Sequence, residues 1–155
     1  MLRKLAYVTA LVAVLAVAGV AWWQHDQAHR RDTAVRQSTA AATAAAQAIF
    51  SYDYRSFDTS VANGQSFVTG DFAKEYGQTT GALKANAVKE QAIVRASVSA
   101  SGVVSASPSR VELLLYLNQY RRNTNITGEK VDQNRVVLTM LLVKGEWKVA
   151  GAAAL

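Results

Sequence analysis

The chain has no cysteine among its 155 residues. Disulfides, thiolate nucleophiles and cysteine-ligated zinc or iron–sulfur sites are thereby excluded. Export without disulfides fits a bacterial envelope better than a small secreted animal domain. Proline occurs once, at Pro108, and histidine only at His25 and His29. No serine stands in a Gly-x-Ser-x-Gly setting, and no glycine-rich loop is spaced to cradle a phosphate. Acidic residues are outnumbered, 11 against 17 basic ones, for a net charge of +6. Arg3 and Lys4 supply two of these charges; beyond them only Arg30-Arg31 and Arg121-Arg122 are adjacent basic pairs. Nucleic-acid binding needs a concentrated stripe of positive charge, so no such partner is expected. Scattered solvated charge aids solubility, and charge close to a bilayer is drawn to anionic headgroups.

What the chain does have is one long apolar run, LAYVTALVAVLAVAGVAWW from Leu5 to Trp23, with no charge inside it. At 1.5 Å per residue, such a helix spans roughly 28 Å, about the thickness of a hydrocarbon core. The run predicts a single membrane span over residues 5–23. Leu5, Leu11 and Leu15 then lie in the apolar layer, and Trp22 and Trp23 at the interface. The basic start predicts a short cytoplasmic tail, residues 1–4, and an exported C-terminal domain from residue 24 onward. A cleaved signal peptide is the competing reading, with small residues at Gly19-Val20-Ala21. A signal's apolar stretch is usually about 7–15 residues, and this one is longer. Both readings export about 130 residues, enough for one domain with one core.

Residues 27–49 are rich in alanine and hold no glycine or proline, which predicts a helix running on from the span. Ala34, Ala41, Ala45 and Ala48, with Val35 and Ile49, form a stripe suited to close packing on a sheet. Residues 24–50 thus join the anchor to the rest of the exported domain, 51–155. Tyr52-Asp53-Tyr54-Arg55 is expected to close this helix. Asp58, Thr59 and Ser60 suggest an N-cap for a short second helix, broken at Asn63-Gly64. Thr69-Gly70-Asp71 opens a third helix, with Asp71 in its positive first turn and Phe72 and Tyr76 on one face. Ala92 to Ser105 alternates with a period of two, a half-exposed strand. Pro108 marks a turn. Arg110 to Arg121 is apolar on both faces around Leu113–Leu117 and reads as a central strand. Asn123 to Asn134 reads as a polar loop, Arg135 to Val143 as a third strand, and Trp147 to about Ala153 as a fourth. The expected class is α+β: about three helices covering one face of a curved four-stranded antiparallel sheet.

Several pieces resemble a known family when taken in order. They are AIFSYDYRSFDTSVANGQSFVTGDFAKEY, VRASVSASGVVSAS, VELLLYLNQYRRN and NRVVLTMLLVKGEWKVAGAAAL, behind an anchor helix. Tyr52-Asp53-Tyr54-Arg55, Thr69-Gly70-Asp71-Phe72, Gly102-Val103-Val104-Ser105 and Gly145-Glu146-Trp147 carry most of the similarity. The chain is similar to the actinobacterial Mce-associated membrane proteins. The resemblance implies a cone-shaped domain of the nuclear transport factor 2 class. It also implies an accessory role beside complexes that move lipids or sterols across the envelope, without the lipid-carrying Mce domain itself. A type IV secretion core component has the same fold behind the same single anchor, which keeps a secretion scaffold open as the alternative. No catalytic residue is transferred.

Cone folds also host enzymes and lipid-binding modules, which need a cavity and, for catalysis, a poised acid or base. His25 and His29 are four apart on one helical face, but no third metal ligand accompanies them. Asp53 sits between two tyrosines, and a salt bridge with Arg55 or a sheet arginine is its expected role. Glu112 is expected opposite Arg95 as a cross-strand pair. Asn125-Ile126-Thr127 matches a glycosylation acceptor, a triplet frequent by chance. Trp147 and Tyr116 are expected in the core. Tyr120, Arg121 and Arg122 lead into the polar loop and are the candidate partner contact, because tyrosine and arginine are enriched at interface hot spots. The expectation is a non-enzymatic scaffold with no cofactor or metal, other envelope proteins as partners, and homo-oligomerisation left open.

Overall fold

The alanine-rich N-terminal third forms one unbroken helix, α1 (Leu2–Ile49). The computed structural model describes residues 2–155, with side chains for Leu15 and residues 18–155. From Ala34 onward α1 packs on a sheet through Ala34, Ser38, Ala42, Ala45, Ala46 and Ile49, all buried. This stripe differs from the expected one: Ala41 and Ala48 are half-buried, and Ser38 and Ala42 take the inner positions. Buried Ser38 is tolerated because its hydroxyl donates back to the Val35 carbonyl at 3.2 Å. Small side chains keep the helix axis close to the strands. Gln37 meets Trp147 at one end of the sheet, and Phe50 accepts from Gln119 at the other. The last part of α1 therefore runs from one end of the sheet to the other.

Five strands follow, one more than expected. The added strand, β1 (Tyr52–Asp53), is two residues long, too short for any periodicity to reveal. It pairs Tyr52 with Val94 and Asp53 with Ile93. A 3-10 turn (Tyr54–Ser56) leads into α2 (Phe57–Gln65), and α3 (Gly70–Lys89) comes next. Then come β2 (Ile93–Ala106), β3 (Arg110–Arg122), β4 (Lys130–Val143) and β5 (Glu146–Ala154). The sheet order is β1-β2-β3-β4-β5, antiparallel throughout. The polar loop is shorter than expected, because Lys130 to Asn134 already pair with β3. A backbone ladder needs no apolar side chains, so pattern alone misses such a segment. Lys144 and Gly145 both have positive φ, 51° and 87°, as a tight hairpin turn with the strands' own twist requires.

Two expectations for the helices are corrected. Asp58 does not cap α2; it lies in the first turn and accepts Lys84 of α3 at 2.7 Å. Asn63-Gly64 does not break α2, which runs through both to Gln65. The third helix opens as expected, with extended Thr69 before it and Asp71 in its first turn.

The inner face of the sheet presents Val111, Leu113, Leu115 and Leu117, then Val136, Leu138 and Met140, then Trp147 and Val149, all buried. Helices cover this face alone. Tyr116, expected in the core, points the other way and is 44% exposed. β2 is half-buried only at its start; Ser99 to Ser105 are exposed on both faces, since α1 crosses elsewhere. The β5 edge is closed by the α2–α3 connection. Val149 donates to the Phe67 carbonyl at 2.8 Å, and Thr69 donates to the Val149 carbonyl at 2.9 Å.

Candidate functional site

The expected contact residues lie at the end of β3, beyond the C-terminal end of α1. Side chains alternate along a strand, so Tyr120 and Arg122 share the outer face and Arg121 turns to the inner one. The three therefore do not form one surface. Arg121 pairs with Asp132 of β4 at 3.0 Å, and its Nε is buried without a hydrogen-bond partner. Arg122 is exposed. The loop after them is tied down: Thr124 N donates to the Glu90 carbonyl at 2.9 Å, and Asn123 Nδ2 to the Glu90 carboxylate at 3.2 Å. Glu129 pairs with Arg95 at 3.2 Å. Asn125 and Thr127 are exposed in this loop.

Beneath that end lies a cavity of about 390 Å³, between α3, the end of α1 and the sheet. Its walls include Ile49, Phe50, Tyr52, Phe57, Phe72, Tyr76 and Leu83, with Gln119 from β3. The rings of Tyr52 and Phe57 meet edge to face, centroids 5.4 Å apart. Burial pushes the phenols of Tyr52 and Tyr76 up from their ordinary value. Glu75 is the one carboxylate in the lining, and it is exposed. Phe72, Tyr76, Thr80 and Leu83 recur at helical spacing on α3. The sequence places Phe72 and Tyr76 on one face, and Thr80 and Leu83 extend that face along the cavity.

Asp53 stands outside this cavity. Its carboxylate accepts Arg55 Nε at 2.9 and 3.1 Å and the Arg55 backbone N–H at 2.9 Å. These bonds, the side-chain one foremost, hold its pKa at about 2. The carboxylate is therefore ionised and engaged at neutral pH, a poor base for proton abstraction. Its partner is the neighbour expected from the sequence. Glu112 does not face Arg95; the register sets it opposite Ser105 and Thr139, while Arg95 lies opposite Tyr120. Glu112 instead accepts Arg110 at 2.9 Å and the Ser105 hydroxyl at 3.1 Å, and the Arg110 bond lowers its pKa. Such an exposed pair contributes little to stability.

On α1, His25 and His29 approach Nε2 to Nε2 at 2.9 Å on an exposed face. Among the described residues no group of three metal-binding side chains occurs. Among the same residues no helix is long and apolar enough to cross a membrane. The side chains of Leu5 and Leu11 lie outside the described residues. Leu15, Trp22 and Trp23 are exposed, at 63%, 74% and 60%.

No protein-family model matches the chain. An uncharacterized Mycobacterium tuberculosis protein, Rv1362c, is 25% identical over 145 residues, covering 90% of this chain and 66% of the relative. The chain thus spans about two thirds of the length of the curated relatives it matches. Solved structures are more informative about shape. An IcmL-like type IV secretion system protein from Legionella pneumophila superposes with a TM-score of 0.63 at 15% identity, covering 75% of this chain and 88% of that one. CagV, a VirB8 homolog from Helicobacter pylori, gives 0.61 at 12% identity, covering 74% and 93%. The periplasmic domain of DotI gives 0.57 at 14% identity, covering 74% and 89%. At these identities the likeness shows the fold: an α+β cone of the nuclear transport factor 2 class, with helices on one face of an antiparallel sheet.

Proposed function

We propose that this protein is a non-enzymatic, membrane-anchored scaffold of the cell envelope. Its exported cone binds protein partners in an assembly of the type IV secretion kind. The observation that carries this reading is the continuity of α1, a single helix from the apolar run to the buried stripe at Ala34–Ile49. A stiff helix of this kind sets the domain at a fixed height above the bilayer. Exposed Leu15, Val20, Trp22 and Trp23 suit a lipid-facing surface with an aromatic end. Confinement at the membrane raises the effective concentration of the domain near partners held there. The Tyr120–Lys130 end, farthest from the bilayer along α1, is the surface available to them.

The fold likeness to secretion components favours that assembly over an Mce-type lipid or sterol transporter. The Mce reading stays as the second one, supported by the ordered sequence pieces from Ala48 to Leu155. Against catalysis, Asp53 is held ionised by Arg55, and the cavity's lone carboxylate, Glu75, faces solvent.

Photo-crosslinking in the intact membrane tests the scaffold, with the reactive group placed at Tyr120 or Arg122 and, as a control, at Arg110. Adducts to envelope proteins from the first two positions and not the third are expected. The identity of those proteins separates the secretion from the Mce reading. Recovery of lipid alone would defeat the scaffold.

A further inference from the structure

We propose that the cavity at the far end of the cone is a binding site for an uncharged amphiphile, lipid-like in its apolar part. The chain has four phenylalanines and six tyrosines. Three of the former, Phe50, Phe57 and Phe72, and two of the latter, Tyr52 and Tyr76, surround this one hollow. A packed core would bring such rings into contact and leave no space between them. Here about 390 Å³ remains open, within the range of sites for small organic ligands. Aromatic walls of this extent give an apolar guest its contact area.

Charge decides the class of the guest. Glu75 is the only charged residue in the lining, and no lysine or arginine joins it. An anionic headgroup would meet the Glu75 carboxylate. The nearest cation, Arg121, whose charge reaches the Tyr52 phenol from behind the wall, is already paired with Asp132 at 3.0 Å, so fatty acids are disfavoured. An uncharged head meets no such penalty, and the phenol of Tyr52 supplies a group that donates or accepts, while the ring of Tyr76 adds apolar wall with its hydroxyl turned to Gly64. Polar groups nearby are otherwise occupied: the Thr80 hydroxyl donates to the Tyr76 carbonyl at 2.7 Å, and the Gln119 side-chain oxygen accepts from Asn134 at 2.6 Å. The site stands apart from the scaffold reading, because partner capture at Tyr120 does not depend on an occupied cavity.

The test uses the full chain in detergent micelles and a diazirine-bearing monoacylglycerol as the probe. Labelled peptides are mapped with and without competing monoolein or oleate. Labelling within residues 49–83 is expected, with monoolein competing at least tenfold better than oleate. Ala152→Trp fills the cavity from β5 and should abolish labelling while the melting temperature holds. Thr80→Phe does the same from α3, should the first variant fail to fold. Glu75→Lys should erase the preference for monoolein over oleate. Labelling confined to α1 before Ala34, labelling that survives both filling variants, or equal competition by oleate in the wild type would each overturn the proposal.

Discussion

Gly64 of α2 lies directly under the Tyr76 side chain of α3. A Cβ at Gly64 would collide with the Tyr76 hydroxyl and would stand 3.2 Å from the Ala48 carbonyl of α1. Three helices thus meet at a residue without a side chain. In an open helix Gly→Ala stabilises by roughly 1 kcal/mol, because glycine loses more backbone freedom on folding. Overpacking costs about 1–3 kcal/mol. Gly64→Ala is therefore expected to lower stability by about 1–2 kcal/mol, read from thermal melts of the full chain. Adding Tyr76→Phe should recover part of the loss. A stabilised single variant would show that the contact is slack.

The same glycine shows where sequence reading stops. Asn63-Gly64 carries a turn signature, and local rules end a helix there. Packing against Tyr76 overrides that signal, and no local pattern records a contact made twelve residues away. Asp58 misleads for the same reason, because its partner Lys84 is on another helix. Legible were the long helix, the opening of α3 at Thr69-Gly70-Asp71 and the four long strands, each set by periodicity or by glycine and proline. The apolar character of β3 was also legible on both faces, but not that Val111, Leu113, Leu115 and Leu117 alone would form the buried row while Tyr116 faces out. Arg121 turned inward because strand alternation, not sequence adjacency, decides which neighbours share a surface.

The two faces of β3 differ sharply, and neighbouring residues report it. Leu115 is fully buried, whereas Tyr116 is 44% exposed. Leu115→Ala should cost about 2–5 kcal/mol through lost burial and the void left behind. Tyr116→Ala should cost under about 1 kcal/mol, as at other exposed positions. Urea titration of both variants measures the difference. Equal losses would mean that the outer face is covered in solution.

Asp53 gives a pH signature. Its folded pKa of about 2 lies below the ordinary value of 3.8, chiefly because Arg55 donates to it. A depressed carboxylate contributes stability that is present above the unfolded value and lost as pH falls through the folded one. The contribution should therefore fade between about pH 4 and pH 2. Carboxyl NMR should place the Asp53 midpoint near 2, and Arg55→Gln should move it up toward the ordinary value. An unmoved midpoint would assign the shift to another group.

Ala42 tests whether α1 is a tether or part of the fold. It is fully buried against the sheet, two residues before exposed Ala44. Leucine at either position has good helix propensity, so the helix itself tolerates both. Only packing separates them. Ala42→Leu would push α1 away from the strands and is expected to cost about 1–3 kcal/mol. Ala44→Leu should stay within about 0.5 kcal/mol of the parent. Melting both variants of the full chain decides the point. If Ala42→Leu melts like Ala44→Leu, the C-terminal part of α1 is not docked. The domain would then swing on its anchor, and the fixed height on which the scaffold reading depends would be lost.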